Sequence, residues 1–138
     1  MMFVDACVIV AILNQEPGWE ELFKQLSRPV DFYVSAMVRF EATQALARAG
    51  AGSRKPTAEA LLKACDLVDQ LIVEIGGENV PIGDEIGSRA IDASAQYGKA
   101  VGHQADLNLG DCFAYACAKA LGTPLLYKGN DFLLTDLR

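Results

Sequence analysis

The sequence is poor in the residue types that announce several common functions. It has a single histidine, His103, and four cysteines, Cys7, Cys65, Cys112 and Cys117, that form neither a CxxC pair nor the spacing of zinc ligands. The cysteines therefore read as free, mostly buried thiols. Long apolar runs are also missing. Val8 to Leu13 is far short of the roughly 20 residues that a membrane span requires, and Asp5 interrupts the N-terminal run. Met1-Met2 lacks the basic region of a signal peptide, so a cytoplasmic protein without a targeting segment or membrane contact is expected. Positive charge is scarce: 12 Lys and Arg face 18 Asp and Glu, a net charge of −6. Such a deficit ordinarily argues against a nucleic-acid partner, because phosphate binding depends on basic side chains. The objection falls if several acids converge on divalent cations, which invert the local field. Arg39, Arg48, Arg54, Lys55, Lys99, Lys119 and Lys128 remain available for a rim, although each taken singly reads as a solvated surface charge.

What is present is a well-patterned α/β sequence. Its 138 residues, 51% hydrophobic and 22% charged, fit one compact domain over residues 1–138, without repeats, low-complexity tracts or an internal linker. Met2-Phe3-Val4 is a short apolar strand that stops at Asp5, and Ala6 to Leu13 follows as an apolar helix. Trp19, Leu22, Phe23 and Leu26 recur at helical spacing before the Ser27-Arg28-Pro29 stop. Val30 to Val34 is the next strand, and Ser35 is placed to cap a helix from about Ala36 to Ala49. Pro56-Thr57 opens another helix that ends near Gly76-Gly77. A brief extended piece at Val73 to Ile75 or at Val80 to Ile82 precedes a helix from Asp84 to Tyr97. After a loop, Leu109 to Leu121 is apolar nearly all round and reads as a buried central helix, followed by the strand Leu125-Leu126-Tyr127. Short strands alternating with helices predict a parallel sheet covered on both faces.

In open sheets of this kind ligands bind beyond the carboxyl ends of the strands. That rule turns scattered acids into a constellation. Asp5 follows the first strand, Asp131 follows the last, and Glu41 lies in the second turn of the helix after the second. Asp111 lies in the first turn of the central helix, whose N-terminus can point at the same spot. Carboxylates packed together raise one another's pKa unless a cation joins them, and an all-oxygen set suits Mg²⁺ or Mn²⁺. The chemistry this favours is metal-assisted phosphodiester hydrolysis.

Each acid also has an ordinary structural reading. Asp111 follows Asn108 by three residues, the spacing of a capping box, and an acid in a first helical turn is favoured by the helix dipole. Asp131 after Gly129-Asn130 fits a turn. Glu41 beside the stripe Val38, Ala42 and Ala45, and Asp5 between two apolar runs, are harder to explain as surface residues. His103 lies in a Gly- and Gln-rich loop with no partner in view, and Ser35 reads as a cap, not a nucleophile.

Four ordered blocks then resemble the PIN-domain ribonucleases of the VapC type, the toxin half of bacterial type II toxin-antitoxin pairs. They are Phe3-Val4-Asp5, Ser35 to Glu41, Leu107 to Ala116, and Leu125 to Phe132. The resemblance implies a three-layer α/β/α fold with a central parallel sheet of about five strands, and Mg²⁺- or Mn²⁺-dependent cleavage of RNA. It implies Asp5 and Asp111 as principal metal ligands, with Glu41 and Asp131 completing the catalytic site. A homodimer and silencing by a VapB-type antitoxin are implied as well. Two departures stand out: Cys7 occupies a place where the family usually has Ser or Thr, and Asn130 one where a further acid is sometimes found, with Asp136 as a substitute. Competing readings are a catalytically silent PIN-like binding module and a phosphorelay receiver with Lys128 near its last strand. The receiver expects paired acids after the first strand, whereas Asp5 stands alone; a haloacid-type phosphatase expects Asp where Cys7 stands.

Overall fold

A computed structural model describes residues 1–137. Its strands are β1 (Met2–Val4), β2 (Phe32–Ser35), β3 (Glu78–Val80) and β4 (Leu125–Leu126), all parallel, in the order β3-β2-β1-β4. The helices are α1 (Ala6–Leu13), α2 (Trp19–Leu26), α3 (Ala36–Ala51), α4 (Ala58–Glu74), α5 (Asp84–Tyr97) and α6 (Leu109–Leu121), with a short 3₁₀ turn at Lys99–Val101. The parallel α/β fold matches the sequence reading, with four strands in place of about five. Of the two candidate positions for the third strand, Val80 to Ile82 is the nearer: the observed strand, Glu78–Val80, starts two residues earlier, overlaps it at Val80, and pairs with Tyr33 to Ser35. Two of its three residues are exposed, so apolar content gave little guidance there.

The chain order explains where a site can form. The sheet grows outward from β1 through β2 to β3, and the chain then returns to lay β4 on the other side of β1. With right-handed crossovers, the β1-to-β3 connections and the returning one occupy opposite faces. The direction of winding therefore reverses beside β1, and a crevice opens past the carboxyl ends of β1 and β4. Phe3, Val4, Val8, Ile9 and Phe32 are fully or almost fully buried and form the centre of the core beneath that edge. Beyond β4, Phe132 is equally buried and stacks edge-on against Tyr127 at 5.0 Å. This anchor fixes the tail, leaving its neighbour Asp131 exposed at the crevice. No helix is long and apolar enough to cross a membrane among the described residues.

Candidate active site

The four predicted acids converge. Asp5, Glu41, Asp111 and Asp131 all line one polar cavity of about 260 Å³ at the carboxyl edge of the sheet, together with Cys7, Glu16, Arg48 and Asn108. Each is delivered by a different element. Asp5 is the residue at which β1 ends and α1 begins: its backbone N–H donates to the Leu126 carbonyl at 3.0 Å, and its side chain caps α1. Ser35 caps α3 by accepting from the Val38 N–H at 3.2 Å, and this sets the helix phase that turns Glu41 inward. Ala45 and Arg48 lie on that same face, four and seven residues on, and line the same cavity.

Asp111 fulfils both of its sequence readings. One oxygen accepts from the Asn108 N–H at 3.1 Å while Asn108 accepts from the Asp111 N–H at 2.9 Å, a complete capping box at the start of α6. The same box holds the carboxylate, buried at 7% exposure, against the cavity. Asp136 does not substitute for a fourth acid in the pocket. It accepts from the Tyr115 hydroxyl at 2.7 Å and pairs with Lys119, away from the lining residues. His103 turns its Nδ1 to the Ala105 N–H at 3.0 Å and its ring against Tyr97, as befits a loop-organising residue.

The electrostatics are those of a pocket short of positive charge. Asp5 is 4% exposed, and its Oδ1 is buried without a hydrogen-bond partner, whereas Oδ2 takes the contacts from Cys7. Burial raises its pKa above the ordinary carboxylate value, with Asp131 adding to the effect and the Cys7 and Ala6 hydrogen bonds opposing it. Glu41 is pushed up to about 7, first by burial and then by Asp5 and Asp111, with Arg48 pulling it back. Asp111 is raised to about 6 by burial, then by Asp5, Asp131 and Asp106, against the opposing hydrogen bond from Asn108. These acids hold protons more tightly in the folded chain than in the unfolded one. Protonation therefore stabilises the fold fully below the unfolded values of 3.8 and 4.5, and that contribution is lost as pH rises through about 6 and 7. Metal-free protein should accordingly melt at a higher temperature at pH 5 than at pH 8. Melting curves in EDTA test this, and equal or reversed values would contradict the buried cluster.

Cys7, which stands where the resemblance leads one to expect Ser or Thr, is built into the site. Its thiol donates to Asp5 Oδ2 at 2.7 Å, and its sulfur accepts from the Lys128 N–H at 3.1 Å, tying the start of α1 to the chain just past β4. Burial, and then the Asp5 charge, push its pKa far up, so it remains a neutral donor. A hydroxyl can make the same two contacts and donates better than a thiol. Cys7→Ser should therefore keep or exceed the parent activity. Cys7→Ala should lower it by about tenfold, the equivalent of one hydrogen bond of roughly 1.4 kcal/mol. Matched rates for the two variants would show that the donor is immaterial.

Two features of the site escaped the sequence reading. Glu16, in the turn between α1 and α2, reaches back to the pocket rim and pairs with Lys128 Nζ at 2.7 Å. Gly110 is the second: a Cβ there would fall 2.0 Å from Glu41 Oε2, so the absence of a side chain on α6 makes room for the α3 carboxylate. Neither has a local signal, since both arise where separate elements meet. Among the described residues no three His, Cys, Asp or Glu side chains form a ready-made metal-binding group. Mg²⁺ does not demand one, since it characteristically takes one or two carboxylates and keeps its other ligands as water and substrate oxygens.

Fold and pocket together define an open parallel α/β domain with a polyacidic centre at its topological switch point. Comparison with known proteins agrees with that class. The family model described as "PIN domain" matches residues 2–136. A VapC ribonuclease of Rhizobium meliloti is 52% identical over 141 aligned residues, covering 99% of both chains. Ribonuclease VapC42 of Mycobacterium tuberculosis is 34% identical over 137 residues, covering 99% of this chain and 97% of that one. In three dimensions the chain is similar to Mycobacterium tuberculosis VapC20, described as a toxin that cleaves the sarcin-ricin loop. The TM-score is 0.73 at 15% identity, over 100% of this chain and 97% of that one. The chain belongs to the PIN-domain family, among its VapC members.

Proposed function

We propose that this chain is a Mg²⁺- or Mn²⁺-dependent endoribonuclease, a single PIN domain acting in the cytoplasm as the toxin of a VapBC-type pair. The observation that carries this reading is the convergence of four carboxylates from four elements on one pocket, with a buried, unpartnered oxygen on Asp5. Unpaired buried acids destabilise a fold, and a hard divalent cation with oxygen ligands relieves that cost. Its VapC relatives carry the name ribonuclease, which fits the same chemistry.

Asp5, at the end of β1, and Asp111, at the capped start of α6, are the residues that would hold the cation. When bound, Mg²⁺ or Mn²⁺ supplies Lewis acidity, activating the attacking water and offsetting charge on the phosphodiester. Glu41, pushed up to about 7, suits accepting the proton that the water gives up near neutral pH. Asp131, exposed at the mouth, orients water or substrate from the open side. An antitoxin of the VapB type would silence the site by placing a basic side chain among these acids, where a charge-assisted hydrogen bond is strong. A homodimer completes the expected assembly.

The test is incubation of purified, antitoxin-free protein with structured and single-stranded RNA in Mg²⁺, Mn²⁺ or EDTA, beside Asp5→Ala. Cleavage that requires metal and disappears in the variant supports the assignment; intact RNA throughout moves the chain to a silent binding module. Melting adds a readout independent of catalysis. A cation present at about 100 times its Kd stabilises by about 2.7 kcal/mol, and Asp111→Asn should shrink the shift.

A further inference from the structure

The acidic pocket repels the phosphates it is proposed to cut, and the whole chain carries a net charge of −6. The positions of its uncancelled cations are therefore informative. Among the described residues, Arg39, Lys63, Arg89, Lys119 and Lys128 are ion-paired with Asp69, Glu59, Glu85, Asp136 and Glu16. Lys24, Arg28 and Lys99 are outside these pairs too, but they lie away from the acidic pocket: Lys24 and Arg28 at the end of α2 and the turn after it, with Arg28 beside Phe32 at the amino edge of the sheet, and Lys99 by α6. The remaining three, Arg48, Arg54 and Lys55, are exposed, lack ion-pair partners, and share one groove between the end of α3 and the start of α4. Arg48 also lines the acidic pocket, so groove and pocket are contiguous through a single side chain.

We propose that Arg48, Arg54 and Lys55 form the track on which the RNA backbone lies as it enters the active site, with Arg48 holding the phosphate next to the one that is cleaved. The inference rests on the nuclease reading and deepens it by naming where the substrate is held. Its physical basis is selective neutralisation. Elsewhere most cations are cancelled by neighbouring acids, whereas here three stand together beside the acidic pocket that a polyanion has reason to enter. Two consecutive residues, Arg54 and Lys55, suit successive phosphates, and Arg48 lies seven residues after Glu41 on the same face of α3. A guanidinium there serves two ends at once: it lowers the Glu41 pKa and offers a fork of donors to a phosphate. An acidic polypeptide could use the same charges, but it has no need of continuity with a cluster of carboxylates.

The experiment follows a fluorescein-labelled, mixed-sequence single-stranded RNA by anisotropy and by cleavage in Mg²⁺ over a range of KCl concentrations. The proteins are wild type, Arg54→Gln/Lys55→Gln, Arg48→Gln, and a Lys24→Gln/Arg28→Gln control at the opposite edge of the sheet. The Arg54/Lys55 double variant should raise Kd and KM several-fold with kcat unchanged. Its plot of log affinity against log salt should be shallower by about 0.7 for each lost single-strand phosphate contact. Arg48→Gln should raise KM and also lower kcat. A double variant that matches the control in Kd, KM and salt slope overturns the track, as does one that, in a parallel anisotropy titration with fluorescein-labelled polyglutamate, loses affinity only for that peptide while RNA binding stays intact. Anisotropy keeps this separable from the nuclease assignment: wild type that binds RNA through these residues without cutting it overturns the assignment and leaves the track standing.

Discussion

Asp5→Asn should abolish metal-dependent RNA cleavage and, at the same time, raise the melting temperature of the metal-free protein at pH 8. Asparagine keeps the shape and the capping oxygen that starts α1, for which Asn and Asp are equally suited. What it removes is a charge that is 4% exposed, with one oxygen lacking any partner. The amide nitrogen that replaces that oxygen is a donor in a cavity whose other walls, Glu41 and Asp111, are acceptors. Asp5 also raises the pKa of both, so its neutralisation relaxes them toward ordinary carboxylate values and flattens the fall in stability between pH 5 and pH 8. Loss of one preorganised electrostatic group commonly costs about 10²- to 10³-fold in rate, and loss of a principal cation ligand should cost at least that. Opposite signs for activity and stability are the mark of a group kept for function at the expense of the fold. Single-turnover cleavage in Mg²⁺ and melting curves in EDTA decide the matter. A variant less stable than the parent in EDTA would show that the Asp5 charge supports the fold and does not await a cation.

Some parts of this site are legible in the sequence and others are not, for physical reasons. Asp5 and Asp131 could be placed because each follows a strand, and strands of a parallel sheet all end at one edge. Glu41 could be placed because Ser35 announces the start of α3 and the helical repeat does the rest. Asp111 carried two readings that looked exclusive, cap and site, and the structure satisfies both with one carboxylate. Outside the site, the third strand was blurred because β3 shows mostly polar, exposed residues and owes its conformation to pairing with β2. Asp136 misled for a related reason: its partners, Tyr115 and Lys119, are one helical turn apart on α6 and far away in sequence. Local chemistry reveals where a side chain starts, and only tertiary packing reveals what it meets. The same limit hid Glu16, whose partner Lys128 is 112 residues away, and it hid the glycine on which the position of Glu41 depends.

Gly110→Ala, the mildest change available at that glycine, should cost about 10²-fold in kcat without lowering stability. Ordinarily Gly to Ala inside a helix stabilises by roughly 0.5–1 kcal/mol, because alanine has less conformational freedom to lose. Gly110 lies in the first turn of α6, and the three atoms nearest a new Cβ there all belong to the Glu41 carboxylate, at 2.0–2.2 Å. That group is the end of a flexible side chain, so the helix can accept the methyl by displacing the carboxylate and leaving the backbone where it is. Displacement by about 1 Å is enough to cost on the order of 10²-fold when a group must meet the reacting atoms in one geometry. Glu41 would move out of the field of Asp5 and Asp111, which relaxes its raised pKa and adds to stability above pH 6. A double variant separates this from simple steric damage. If the methyl acts only through Glu41, Gly110→Ala should add no further loss of rate in a Glu41→Ala background, yet should still bring the helix gain in stability. Independent, multiplying losses of rate would instead mean that Gly110 matters through the approach of substrate to the start of α6, and that the displaced Glu41 carboxylate is not the cause.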